Sequence, residues 1–290
     1  MAINMLQLEI VMIAILAAVT CCLPGVFLVL RGVAMMSDAI SHAILLGIVV
    51  MFFLVHSLTS PWLIIGASLS GIITVVCTEM IIKSKRLKQD AAVGLIFPLF
   101  FSVGVILVSQ FARNVHLDTD MVLLGELAFA PFNRLVLHGI DCGPSALWVM
   151  IVALIINLLF IRLFYKQLLI TTFDATLATM TGFSPALFYY LLMIMTSLTT
   201  VVTFDAVGAI MVVALMITPP SSAYLLTHKV SDMLFLTVIF AVLSAVLGYI
   251  FASWADVSIA GSIASMTGLF FVLALVLRSI LLKPTNQVSN

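Results

Sequence analysis

Charge is what this sequence has least of: Asp, Glu, Lys and Arg together make up 8% of its 290 residues, where an average globular chain carries about 25%. That leaves too little polar surface to coat a water-soluble globule of this size, which excludes a soluble enzyme. Neither sign dominates, since 12 Lys and Arg balance 12 Asp and Glu. Without a net basic field, nucleic-acid binding is excluded as well. Cysteine is scarce, and Cys21, Cys22, Cys77 and Cys142 form no CxxC pair that would frame a zinc or redox centre; in mostly apolar surroundings they read as packing residues. There is no GxxxxGK(S/T) phosphate loop, so the chain does not itself bind and hydrolyse ATP in the P-loop manner. There is no HExxH, which removes the intramembrane metalloprotease reading. A basic n-region and a small-residue cleavage pattern are missing before Cys21, so the first apolar stretch reads as a retained helix.

What is abundant is apolar side chain, at 64% of the residues with a mean hydropathy of +1.33. Apolar runs long enough to cross a hydrocarbon core of about 30 Å fall near 6–30, 36–57, 61–82, 92–112, 145–165, 185–203, 206–226, 231–252 and 259–282. The fold class expected is therefore all-α, a polytopic integral membrane protein of eight or nine transmembrane helices forming a single domain over 1–290. The ambiguity sits at 185–226, where Asp205 separates two short runs and Thr218-Pro219-Pro220 interrupts the second. Lys and Arg collect in short cytoplasmic loops. Lys83, Lys85, Arg86 and Lys88 thus place the third loop inside, and alternation brings Arg31, Arg162, Lys166, Lys229, Arg278 and Lys283 to the same face, leaving Arg113 and Arg134 outside. Nine spans would put the N-terminus outside and the C-terminus inside; eight would move one of them. The segment 113–144, with Asp118, Asp120, Glu126 and Asp141, faces outward in this reading.

Ionisable groups inside apolar spans are costly, about 2.5–3.5 kcal/mol for an Asp at a helix centre, and persist where they have a partner or a task. Ser37-Asp38-Ala39-Ile40-Ser41-His42-Ala43 opens the second span just after Arg31-Gly32. Asp38 and His42 are one helical turn apart on one face, with Ser41 beside that stripe. Roughly 10 and 16 Å beyond Arg31 at 1.5 Å per residue, they approach the midplane if the helix begins at that arginine. A carboxylate oxygen and an imidazole nitrogen so placed can bind one divalent first-row metal, the remaining ligands coming from elsewhere or from water. The competing reading makes Ser37 or Asp38 the cap of a helix that starts later, with His42 donating to a neighbouring carbonyl.

Thr172–Gly182, between the fifth and sixth spans, reads as a short cytoplasmic helix: Asp174 suits its positive end, Gly182 a C-terminal stop, and Pro185 blocks continuation. Ala178 and Gly182 are expected to leave a small-residue face for another protein, although an ordinary loop helix lying on its own domain fits the same pattern. Gly66, Ser70 and Thr74 form a small-residue packing stripe. His116, Asp118 and Asp120 resemble a metal entry cluster, but their external loop position favours solvated charges or a partner-docking face.

Arg31-Gly32 with Ser37–Ala43, then Phe173-Asp174 to Gly182, then Leu215-Met216-Ile217-Thr218-Pro219 with Ala223-Tyr224-Leu225, resemble in order and spacing three blocks of the manganese, zinc and iron ABC-importer permeases. The correspondence runs over nearly the whole chain. The family pattern has Gly before the Asp and Pro before the later Gly; Ser37 and Leu46 stand there instead. The resemblance implies a type II ABC-importer-like permease of the bacterial cytoplasmic membrane. It would be paired with two cytoplasmic ATPase subunits and with a second permease copy or a related permease, and would receive metal from an extracytoplasmic binding protein. It implies that Asp38 and His42 hold the metal transiently, as transported substrate and not as a resident cofactor. The helix at 173–182 would dock into the ATPase through Phe173, Asp174, Ala178 and Gly182. Val115–Asp120 looks like the manganese-type branch. An ion-gradient-driven metal transporter is the rival, and it would have no need of that docking helix.

Overall fold

The computed structural model describes residues 5–56, 62–111, 127–137 and 140–281. Its helices are α1 (Met5–Leu30), α2 (Met35–Val55), α3 (Trp62–Lys83), α4 (Gln89–Phe111), α5 (Ser145–Phe173), the short α6 (Ala175–Met180), α7 (Pro185–Leu226), α8 (Val230–Ala255) and α9 (Ile259–Leu281). All but α6 are long and apolar enough to cross a membrane. Their outward surfaces are studded with exposed Leu95, Ile106, Leu159, Phe235 and Leu273, a density of bare hydrocarbon that only lipid tolerates. The outer segment departs from the all-helical expectation. There β1 (Arg134–Leu137) and β2 (Ile140–Pro144) pair antiparallel, Arg134 opposite Pro144, with a register shift between Arg134 and Val136. Arg134 ties this hairpin down, its Nε 2.6 Å from Asp141 and its Nη2 3.3 Å from Glu9 of α1. The guanidinium, with the Gly143 N–H, holds the Asp141 carboxyl below its ordinary range, so the pair is ionised at neutral pH.

The stretch 185–226 is one element of 42 residues in which Gly208 has φ 77° and ψ 167°. Straight, such a helix would run roughly 63 Å. Both of its ends nevertheless lie at the same face. The ring of Phe188 stands 5.7 Å from that of Phe164, near the end of α5, and Tyr224 lines one cavity together with Phe173, Lys229 and Arg278. The chain therefore reverses at Gly208, a backbone conformation open to glycine alone, and α7 makes two passes. The nine-pass alternative follows. Glu9 meets the outer hairpin, Leu127 and Phe129 share a cavity with Tyr249 and Ala260 where α8 hands over to α9, and α9 returns to the basic face at Arg278. The break lies at Gly208, not at Asp205, and Pro219 and Pro220 sit buried inside the second pass without ending it.

The first pass of α7 packs on α1, α3 and α5, and its second on α1. Because the helices are apolar on every side, close approach and buried hydroxyls fix these contacts. Ser70 donates to the Ala43 carbonyl at 2.9 Å, Ser197 to Ser68 at 3.1 Å, and Cys21 to Thr203 at 3.4 Å. Gly66, Ser70 and Thr74 are all buried, as the small-residue stripe requires. Cys21 and Cys22 are buried thiols and Cys77 is half-buried; the Cys142 side chain lies outside the described set. Buried Asn157 joins three helices, donating to the Thr20 carbonyl at 3.2 Å and to Thr199 Oγ1 at 2.8 Å. Asn157→Leu is expected to lower stability by about 1 kcal/mol, read as a reduced thermal midpoint of the detergent-solubilised protein, with Asn157→Gln intermediate.

Candidate functional site

Helix α2 begins at Met35, so Asp38 lies within its first turn and His42 one turn further on. That start disposes of the capping alternative. Ala34 is the N-cap residue, without a side-chain cap, and Ser37 Oγ donates backwards to the Ala34 carbonyl at 2.8 Å. It also sets the pair nearer the inner end of α2 than a helix beginning at Arg31 would, because residues 31–34 form a turn. Ser41 is buried and donates to the Ser37 carbonyl at 2.9 Å, which takes it out of the site.

The two side chains meet. His42 Nε2 is 3.3 Å from Asp38 Oδ1, with about a quarter of each side chain exposed, 27% and 24%. Two ligand atoms at about 2.0–2.2 Å from a tetrahedral or octahedral first-row metal stand roughly 3.0–3.5 Å apart, a separation this pair matches, as does a direct hydrogen bond between the two side chains. The imidazole is held from the side by α4, with ring centroids 5.3 Å from Phe97 and 5.7 Å from Phe101. These phenyl walls fix the ring and restrict water; nothing in the sequence pattern of α4 singled them out. Among the described residues no third His, Cys, Asp or Glu gathers at this point.

At the inner face α5 runs to Phe173, eight residues beyond the expected end of its span. Asp174 is at once its C-cap and the N-cap of α6. Its backbone N–H reaches the Ile170 carbonyl, and its Oδ1 accepts from the Thr176 and Leu177 amides at 2.9 Å each. Gly182 ends the helix as expected, with φ +86° and the Phe183 amide bonded back to the Ala178 carbonyl at 2.9 Å. Of the expected small-residue face only Gly182 is exposed. Ala178 is wholly buried against its own chain, and the outward face carries Phe173, Leu177 and Met180 instead, the last 81% exposed. A helix of two turns must bury one side to stay folded, and the small residue is the one that fits against α5 and α7. His116, Asp118, Asp120 and the rest of Val115–Asp120 lie outside the described residues, as do Arg113 and Glu126.

Comparison with known proteins places this geometry in context. The family model described as the ABC 3 transport family matches residues 3–278. The manganese transport system membrane protein MntD of Bacillus subtilis is 44% identical over 274 residues, 94% of this chain and 91% of that protein. The zinc transport system membrane protein TroD of Treponema pallidum is 48% identical over 268 residues, 92% of this chain and 73% of that one. Among solved structures, PsaBC from Streptococcus pneumoniae in complex with Fab matches with a TM-score of 0.81 at 29% identity, covering 98% of this chain and 96% of the other.

Proposed function

The chain belongs to the ABC 3 transport family and is a multi-pass protein of the bacterial cytoplasmic membrane; from that premise we propose that it is the permease subunit of an ATP-driven importer of a divalent transition metal. The observation that carries the proposal is the Asp38–His42 pair, a carboxylate oxygen and an imidazole nitrogen 3.3 Å apart on one turn of a membrane helix. Manganese is the cargo put first, in line with the manganese relative, with zinc and iron as alternatives. An O,N site binds zinc more tightly than manganese at equal availability. Preference for manganese then rests on coordination geometry, on kinetics or on the binding protein that delivers the ion.

In the proposed cycle an extracytoplasmic binding protein hands the metal to the outer face. The pair holds it, and a cytoplasmic ATPase closing beneath α6 shifts the helices so that the same two ligands open inward. The chain has no phosphate loop of its own, so hydrolysis belongs to the partner. A second permease copy, or a related permease, completes the pathway. The exposed Phe173, Leu177 and Met180 give the ATPase an apolar knob, presented by a helix whose caps are fully satisfied. Met180→Glu with Leu177→Glu is expected to lower co-purification of the ATPase at least tenfold while membrane insertion is unchanged, read by affinity capture from solubilised membranes.

The deciding experiment is metal uptake into proteoliposomes containing this chain with its ATPase and loaded binding protein. Accumulation of manganese that requires ATP supports the importer, and accumulation of zinc alone would rename the cargo. Uptake indifferent to ATP but driven by a proton or sodium gradient would replace the proposal with a secondary transporter.

A further inference from the structure

We propose that Arg31 is the strut that carries motion of the α6 segment to the metal-holding helix. The inference rests on the importer reading above and names the residue through which its two halves communicate.

Arg31 occupies the turn between α1 and α2, seven residues before Asp38. Its Nε donates to Thr172 Oγ1 at 3.0 Å and its Nη2 to Thr171 Oγ1 at 2.8 Å. Those hydroxyls belong to the last turn of α5, immediately before Asp174, the residue that caps α5 and α6 together. Thr171 is buried and donates its own hydrogen to the Gln167 carbonyl at 2.7 Å, so a lone pair is left pointing at the guanidinium. A planar fork reaching two adjacent hydroxyls is a geometry that arginine supplies and lysine does not.

Both ends of the link are stiff. On one side there is no slack between α5 and α6, because they share a residue. On the other, α1 closes in a two-bond terminal motif, Gly32 N to Val29 O at 3.0 Å and Val33 N to Leu28 O at 2.9 Å, with Gly32 at φ +70°. The turn then passes directly into α2 through Met36 N to Val33 O at 3.0 Å. From α4, Gln89 Nε2 braces the same turn on the Gly32 carbonyl at 3.2 Å. Helix α2 has no extensive packing against α5 or α6. Helix α7 packs on both α5 and α2, but the guanidinium is the side-chain hydrogen-bond link from the α5–α6 junction to the turn that opens α2. In this proposal a displacement of α6 reaches Asp38 along it, and breaking its two hydrogen bonds uncouples the segments without emptying any core position.

The test uses the complete transporter in proteoliposomes and measures metal uptake and ATP hydrolysis together. The variants are Arg31→Gln and the double change Thr171→Val with Thr172→Val, which keeps side-chain shape but removes both acceptors. Each is expected to lower the metal transported per ATP about tenfold, within the 5–150-fold span of ordinary coupling, while hydrolysis continues. Thr171→Ser with Thr172→Ser, which restores the hydroxyls, is expected to keep the wild-type ratio. An unchanged ratio in the valine variant overturns the proposal. So does a proportionate fall of uptake and hydrolysis, which would mean a structural role only. Loss of ATP dependence in the wild type would instead strike the importer reading itself.

Discussion

His42→Ala is expected to lower metal uptake on the order of 100-fold or more, and Asp38→Ala to do the same. Removing a group that only orients a ligand typically costs 10–100-fold in metal affinity, and a ligand itself costs at least that. In the proposed site each residue is half of a pair 3.3 Å apart, and no third His, Cys, Asp or Glu stands by among the described residues to replace it. The loss is not an effect on folding. Both side chains are partly exposed, neither hydrogen-bonds to another helix among the described residues, and the phenyl walls of Phe97 and Phe101 remain for the smaller residue to rest on. Asp38→Asn sharpens the point. It keeps the volume and an oxygen donor but loses the charge, and is expected to leave more uptake than alanine and less than wild type. Uptake of radioactive manganese or zinc, normalised to the amount of assembled complex, is the measurement. Uptake within twofold of wild type in both alanine variants would remove the ligand assignment.

Gly25→Val carries the largest expected effect on stability. A Cβ at Gly25 would collide with the Met216 carbonyl of the second α7 pass and sit 3.1 Å from Pro220 Cγ. Pro220 has no N–H to give to that carbonyl, four residues behind it, so the helix leaves the oxygen unpaired. The space a Gly25 Cβ would need is taken by that carbonyl, so the two backbones lie in close approach. Val pushes them apart, and since the obstacle is backbone, relaxation is limited. The expected cost is about 3 kcal/mol, seen as a collapse of monodisperse protein in detergent chromatography and a much lower thermal midpoint. Gly94→Ala and Gly268→Ala provide the opposite control. Nothing lies within 4 Å of a Cβ at either position, so helix propensity alone predicts a gain of roughly 0.5–1 kcal/mol. If Gly25→Val is as stable as those two, the close approach of α1 and α7 is not what holds this core.

The membrane environment, the inner face and the Asp38–His42 stripe were legible in the sequence because each is written within about 20 consecutive residues. Span length is a count of apolar residues, orientation is a count of Lys and Arg, and two residues four apart share a face in any α-helix. The caps of α6 were legible for the same reason, since Asp174 and Gly182 act on backbone groups a few residues away. The side of α6 that faces outward was not, and Ala178 turned out to be the buried residue, not the presented one.

Only the tertiary structure decided that α7 turns back at Gly208, that Arg31 reaches Thr171 and Thr172 some 140 positions along the chain, that Phe97 and Phe101 wall the His42 ring, and that Gly25 lies on Met216. In water an amphipathic stripe shows which face of a helix is buried. In a bilayer the lipid-facing and protein-facing sides are equally apolar, so the pattern of a helix states that it spans and leaves open what it packs against. That choice is made by small residues, hydroxyls and single charged groups whose partners lie on other helices, and it becomes visible only when the helices are brought together.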